Sequence, residues 1–92
     1  MPYIGQKKRE EIEPELSALI ETLLCYDDNE IKGALNYTIF VMIKRIIKKR
    51  GLRYFRAQDL IGGVLTCCQA ELYRKVLAEY EEDAISRNGD VE

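Results

Sequence analysis

Apolar residues in the first third of the chain recur at helical spacing. Pro14 suits the first turn of a helix, where its missing N–H group costs nothing. Five apolar residues then follow the spacing of one buried helix face: Leu16, Leu19, Ile20, Leu23 and Leu24. The pattern predicts a helix over about 14–25, preceded by a short helical turn within 6–12.

The most apolar segment follows a polar stretch, 26–30, that we interpret as a solvated loop containing a helix cap. Basic residues interrupt the segment with period 3.6, which favours a helix over about 32–50. Gly51 then suits a left-handed cap at its end. The expected core stripe is Leu35, Ile39, Met42, Ile43, Ile46 and Ile47. Tyr37, Phe40 and Val41 lie outside that stripe and widen the apolar surface beyond what one neighbouring helix would cover.

A third apolar stripe predicts a helix over about 57–78, starting near Arg56 or Ala57. Gly62 and Gly63 lie inside it, which indicates a bend or a close backbone approach. Acidic residues after it predict a break near Ala78 to Tyr80 and a short C-terminal helix. We therefore expect an all-α fold with a compact three-helix core. It forms one domain, 1–92, with an extended arm at 1–5 and a tail at 88–92.

The charge is strongly segregated, although the net charge is only −2. Residues 1–30 hold eight acids and three bases, whereas 31–58 hold eight bases and no acid. Such blocks can neutralise each other within a fold or between copies of it. With no histidine, the commonest general base and metal ligand is missing, and the spacing of the three cysteines fits no disulfide framework or zinc site. We expect free thiols in the cytoplasm, no metal or cofactor, no signal peptide and no membrane span.

Several short strings give the chain a family resemblance. They are Met1-Pro2-Tyr3-Ile4, Leu35-Asn36-Tyr37, Gly51-Leu52-Arg53-Tyr54, Glu71-Leu72-Tyr73-Arg74, Tyr80-Glu81 and Asn88-Gly89-Asp90-Val91. Together they resemble a family of small uncharacterised proteins encoded by phages and prokaryotes, which would place the chain in a host cell cytoplasm. The family pattern has a proline where this chain has Glu79, and more polar residues at the positions of Phe40 and Val41. The resemblance implies no particular activity.

Three functions other than self-association are open to these residues. The basic segment 44–56, interleaved with Tyr54 and Phe55, could bind the phosphates and bases of a nucleic acid. A small nucleotide-like anion could be sequestered by arginines and tyrosines. The residues proposed for anion binding are Lys44, Lys48, Arg53, Tyr54, Arg56, Tyr73 and Arg74. The carboxylates near both chain ends resemble those of magnesium-dependent nucleotide pyrophosphohydrolases, but they lack a consistent spacing.

Self-association is the function that the sequence favours. The helix over 32–50 is apolar on more than one side, and three short helices cannot cover all of it. We therefore expect a non-enzymatic, homo-oligomeric interaction protein whose main partner is a second copy of itself. The residues expected at the interface are Tyr37, Phe40, Val41, Tyr54 and Phe55.

Overall fold

The computed structural model describes residues 4–90, which are helical except at the two ends and in short connections. Helix α1 is Gln6–Leu23 and helix α2 is Glu30–Arg50. The C-terminal helical run, 54–88, consists of α3 (Tyr54–Gln58), a π turn (Asp59–Val64), α4 (Leu65–Leu72), a second π turn (Tyr73–Leu77) and α5 (Ala78–Asn88). The prediction of an all-α fold with three helices is confirmed.

The chain divides into two units, Met1–Gly51 and Leu52–Glu92, which we describe separately. The prediction of a single domain stays a prediction. The predicted arm and tail fall partly outside the described residues, at 1–3 and 91–92. Gly5 has an extended backbone and precedes α1, while Asn88 belongs to α5.

The prediction that the first helix begins at Pro14 is wrong, because α1 begins at Gln6 and contains Pro14 in its interior. A proline there removes one hydrogen bond to the carbonyl four residues earlier. The apolar residues Ile12, Leu16, Leu19 and Leu23 keep heptad spacing across Pro14, so one continuous helix presents them on one side. Ser17 Oγ also donates to Glu13 Oε1 at 2.9 Å across this turn. The local proline signal is outweighed by the continuous stripe.

Helix α2 is capped at both ends by its own sequence. The backbone N–H groups of Asn29 and Glu30 donate to Asp27 Oδ1 at 3.0 and 2.7 Å, and the N–H of Asp27 donates to Glu30 Oε1 at 3.4 Å. This reciprocal pair is a capping box, which satisfies N–H groups that a helix start leaves without partners. At the other end Gly51 takes the left-handed conformation, with φ +61°, and its N–H bonds back into the last turn. The caps predicted for this helix are confirmed.

The C-terminal helical run differs from the predicted helix over 57–78 at the start of that helix, in its middle and at its predicted end. It begins at Tyr54 and continues through the break predicted near Ala78 to Tyr80. The acids Glu79 and Glu81 fall in the first turn of α5, yet the helix carries on from the π turn before them. Gly62 and Gly63 lie inside the first π turn. A Cβ atom added at Gly62 would lie 3.6 Å from Gln58 Nε2, and one added at Gly63 would meet no described atom within 4 Å. The two glycines therefore lie in a wider turn and not at a close backbone contact.

Neither unit encloses a core, because no side chain within residues 4–90 is fully buried. In the first unit α1 and α2 contact each other. The half-buried positions are Leu19 and Leu23 in α1, and Ile31, Ala34, Thr38, Val41, Ile43 and Ile47 in α2. The second unit is a single helical run, and a lone helix has no second element to pack against. The predicted compact three-helix core is therefore absent from each described unit.

Candidate interaction surface

The stripe expected to form the core of the second helix is largely exposed. Its residues Leu35, Ile39, Met42 and Ile46 are 39–47% exposed, and their spacing of four, three and four residues is that of a heptad seam. We call these four residues the α2 seam. Successive residues turn by about 100° around a helix, so the seam lies about 90° from the half-buried side that carries Ile31, Ala34 and Thr38. Of the six residues predicted for the core stripe, these four are thus exposed, whereas Ile43 and Ile47 are half-buried.

Two of the predicted interface residues form a second apolar sector of α2. Tyr37 and Phe40 are 64% and 61% exposed, respectively. Lys44, one turn beyond Phe40, places its Nζ 5.7 Å from the centre of the Phe40 ring, within the range of a cation–π interaction. Val41, the third predicted residue in this helix, is instead half-buried on the side of Ile31. The apolar surface of α2 therefore extends over about two thirds of its circumference.

The basic end of α2 has no acidic partner inside its own unit. Lys44 and Lys48, both predicted to bind anions, lie one turn apart on the same side of the helix. Among residues 4–51 the structure contains no salt bridge, although α1 carries five glutamates. Lys48, Lys49 and Arg50 occupy the last turn, where they complement the negative end of the helix dipole. The basic side chains of this end therefore form no salt bridge among residues 4–51.

The other predicted interface residues, Tyr54 and Phe55, begin the second unit. Their rings meet edge to face, with centroids 5.5 Å apart and planes at 84°. They are also the most exposed large side chains of this unit, at 73% and 81%. Arg53 and Arg56, predicted to bind anions, flank them and form no salt bridge with any described residue.

The last two predicted anion-binding residues already contact acids of their own helical run. The Arg74 guanidinium donates to both oxygens of Glu71 at 2.8 Å. The hydroxyl of Tyr73 donates to Glu81 Oε2 at 2.6 Å. This hydrogen bond, together with the negative charge of Glu81, raises the pKa of Tyr73 above its ordinary value. Both side chains therefore have partners without any ligand.

Distance along the run separates the predicted anion-binding residues of the second unit. Arg56 and Tyr73 are 17 positions apart in one continuous helical run. At 1.5 Å per residue, roughly 25 Å of helix lies between them. A nucleotide-sized ligand spans much less, so the run does not bring the two groups together within one unit.

The hydrogen bond between Tyr73 and Glu81 could not be found by helical periodicity. An ideal α-helix would place positions 73 and 81 about 80° apart around the axis. The π turn Tyr73–Leu77 needs more residues for one revolution and so brings Tyr73 and Glu81 to the same side. The spacing of the α2 seam, in contrast, is evident in the sequence, although its side chains are exposed and not buried as predicted.

The acidic residues do not assemble a metal site in the described part of the chain. No group of three or more cysteine, aspartate or glutamate side chains there is arranged to hold a metal ion. A shallow concavity of about 310 Å³ on the second unit is lined by Lys75, Val76, Glu79, Tyr80 and Asp83. The three cysteines are free thiols, with Cys67 half-buried and Cys25 and Cys68 exposed.

The fold and surface together define a small all-α protein with exposed apolar and basic faces. A family model described as a domain of unknown function (DUF6899) matches residues 1–91, so the chain belongs to that family. No curated protein and no solved structure matches the chain. Within residues 4–90, none of the helices combines the length and the apolar character needed to cross a bilayer.

Proposed function

We propose that this chain is a non-enzymatic interaction protein that works as a homo-oligomer, with identical copies covering the apolar surface of α2. The observation that carries the proposal is that no described residue is buried, while α2 exposes apolar side chains on two sectors. Exposed apolar patches of this kind mark association surfaces. A phage or prokaryotic origin, and a reducing cytoplasm in which its thiols stay free, belong to the same proposal.

The free energy gained by covering the α2 seam permits weak association. Fully burying a large aliphatic side chain is worth about 1.5–3 kcal/mol. The seam side chains are 39–47% exposed, so covering what remains contributes roughly 1 kcal/mol each, or roughly 8 kcal/mol for two copies. Association itself costs about 4–15 kcal/mol. The seam gain exceeds only the lower end of this cost, by about 4 kcal/mol, which corresponds to a dissociation constant of about 1 mM and to an oligomer that dissociates on dilution.

Light scattering after size exclusion tests the proposal. We expect a mass that is a multiple of 10.7 kDa and that falls with dilution. The useful range is about 1 μM to 1 mM, which corresponds to association free energies of about −8 to −4 kcal/mol. Contacts between apolar residues should persist at about 1 M salt, where the Debye length is only ~3 Å. A mass of 10.7 kDa across the whole range would refute the proposal.

A nucleic-acid-binding module is the second candidate. The lysines of α2 that form no salt bridge among residues 4–51 favour it. Lys44 and Lys48 have no acidic partner in their unit and could bind phosphates. Fluorescence anisotropy with a labelled single-stranded oligonucleotide should then show affinity that falls steeply with salt. Reversing both charges with Lys44→Glu and Lys48→Glu should abolish binding, whereas Lys7→Glu with Lys8→Glu on α1 should reduce it only slightly. Absence of binding at low salt would eliminate this candidate.

A further inference from the structure

The α2 seam is self-complementary. Its four residues, Leu35, Ile39, Met42 and Ile46, are symmetric in spacing about a point between positions 40 and 41. When two copies of such a helix run in opposite directions, each residue at one heptad core position faces the other core position of its partner. Ile39 then lies opposite Met42 of the second copy, and Leu35 lies opposite Ile46. A two-fold axis thus generates all four apolar layers from one helix.

We infer that two copies of the chain pair through the α2 seam in antiparallel orientation, with Ile39 of one copy against Met42 of the other. The inference rests on the proposed self-association and specifies its surface, direction and register. Tyr37 lies nearly opposite the α2 seam and Phe40 about 130° from its centre, so neither takes part in this pairing.

Charge decides the direction. The start of α2 and its preceding loop carry Asp27, Asp28 and Glu30, whereas the last turn carries Lys48, Lys49 and Arg50. In a parallel pair the three bases of one copy would lie beside the same three bases of the other, which is unfavourable. In the antiparallel pair each basic end lies near the acidic start of the other copy. The two helix dipoles are then also opposed.

The register places like charges opposite each other at the ends of the seam. Lys32 continues the seam at the amino end and Lys49 at the carboxyl end, so the pairing sets these two lysines opposite each other. Asp28, in the loop four residues before Lys32, can balance the pair. Asp28→Asn should therefore weaken self-association, and the effect should diminish as salt is raised.

Disulfide trapping tests direction and register. The three native cysteines are first replaced by serine or alanine, and Ile39→Cys and Met42→Cys are then introduced into separately tagged chains. Mixed under mild oxidation, the two variants should form the 39–42 disulfide in excess over either symmetric disulfide, because facing core positions bring the two Cβ atoms close. A predominant 39–39 or 42–42 disulfide, or equal amounts of all three, would overturn the inference.

A matched pair of variants separates this inference from the proposed function. Ile39→Asp should raise the dissociation constant by on the order of 30-fold or more, the effect expected for a central anchor. Phe40→Asp, about 100° around the same helix from Ile39 and outside the seam, should leave it nearly unchanged. Circular dichroism should show that both variants keep their helices. If Phe40→Asp disrupts the oligomer and Ile39→Asp does not, self-association stands and the seam inference fails. If the parent chain is monomeric, both fail.

Discussion

Replacing Pro14 by alanine should stabilise the protein. Pro14 lies inside α1 and removes a backbone hydrogen bond to the carbonyl of Glu10. A proline in a helix interior is about 3 kcal/mol less favourable than alanine. Proline also restricts the unfolded chain, an effect of up to about 1 kcal/mol in the opposite direction. The expected gain in the free energy of unfolding is therefore about 2 kcal/mol.

Urea denaturation followed by circular dichroism measures this gain. For a domain of this size, a gain of about 2 kcal/mol corresponds to an increase of about 8–16 °C in the melting temperature. Parent and variant must be compared at the same protein concentration, because association would stabilise both. Glu11→Ala on the exposed surface of the same helix is the matched control and should change stability by less than about 0.5 kcal/mol.

An unchanged or lower stability for Pro14→Ala would refute this reasoning. It would mean that Pro14 occupies the first turn of the helix, where proline costs nothing, as the proline signal in the sequence predicts. Backbone chemical shifts give an independent answer. Residues 7–12 should have helical Cα shifts if α1 begins at Gln6, and shifts close to random coil if it begins at Pro14.

Further substitutions at four positions test individual features. Asp27→Ala should cost about 1 kcal/mol by removing the capping box of α2, and Asp27→Ser, which keeps a capping oxygen, should cost much less; equal losses would contradict the cap. Gly51→Ala should destabilise by about 1–2 kcal/mol because its φ is +61°, whereas Gly33→Ala, inside α2 with open space around it, should stabilise by up to about 1 kcal/mol. Glu81→Gln should lower the pKa of Tyr73 towards 10.0, measured by NMR titration of its ring.

The sign of the pH dependence follows from the raised pKa of Tyr73. The hydrogen bond to Glu81 requires a protonated hydroxyl, so its contribution to stability is complete below the ordinary tyrosine pKa of 10.0. That contribution is lost as pH rises through the raised pKa of the folded state. Tyr73→Phe should remove this part of the alkaline transition, and an identical transition in the variant would contradict the assignment.

Sequence patterns predicted the helices best where periodicity and end signals agreed. The bounds of α2 were close because basic residues with period 3.6 continue to Arg50 and Gly51 then ends the helix. The start of α1 was misplaced because Pro14 was given more weight than the apolar stripe that passes through it. The break predicted near Ala78 to Tyr80 was wrong because a π turn extends the helix with backbone bonds that side-chain periodicity does not report.

The candidate surface was only partly accessible to sequence reasoning. The excess of apolar side chains on α2 was read correctly, and Tyr37 and Phe40 are exposed. Which side of α2 is half-buried was not predicted, since Val41 was assigned to the exposed surface and the seam to the core. The seam and the side that carries Val41 lie about 90° apart on α2 and are equally suited to either role by composition. Only the tertiary structure distinguishes them.

The two π turns also determine how the length of the C-terminal run can vary. Deleting one residue from an ordinary α-helical stretch rotates everything beyond it by about 100° and moves every later side chain to another face. A deletion within 59–64 or 73–77 has a different result, because the wide turn can tighten to normal α-helical geometry while still completing one revolution. A variant that lacks one residue in either turn can therefore keep Tyr80 and the rest of α5 facing the same way.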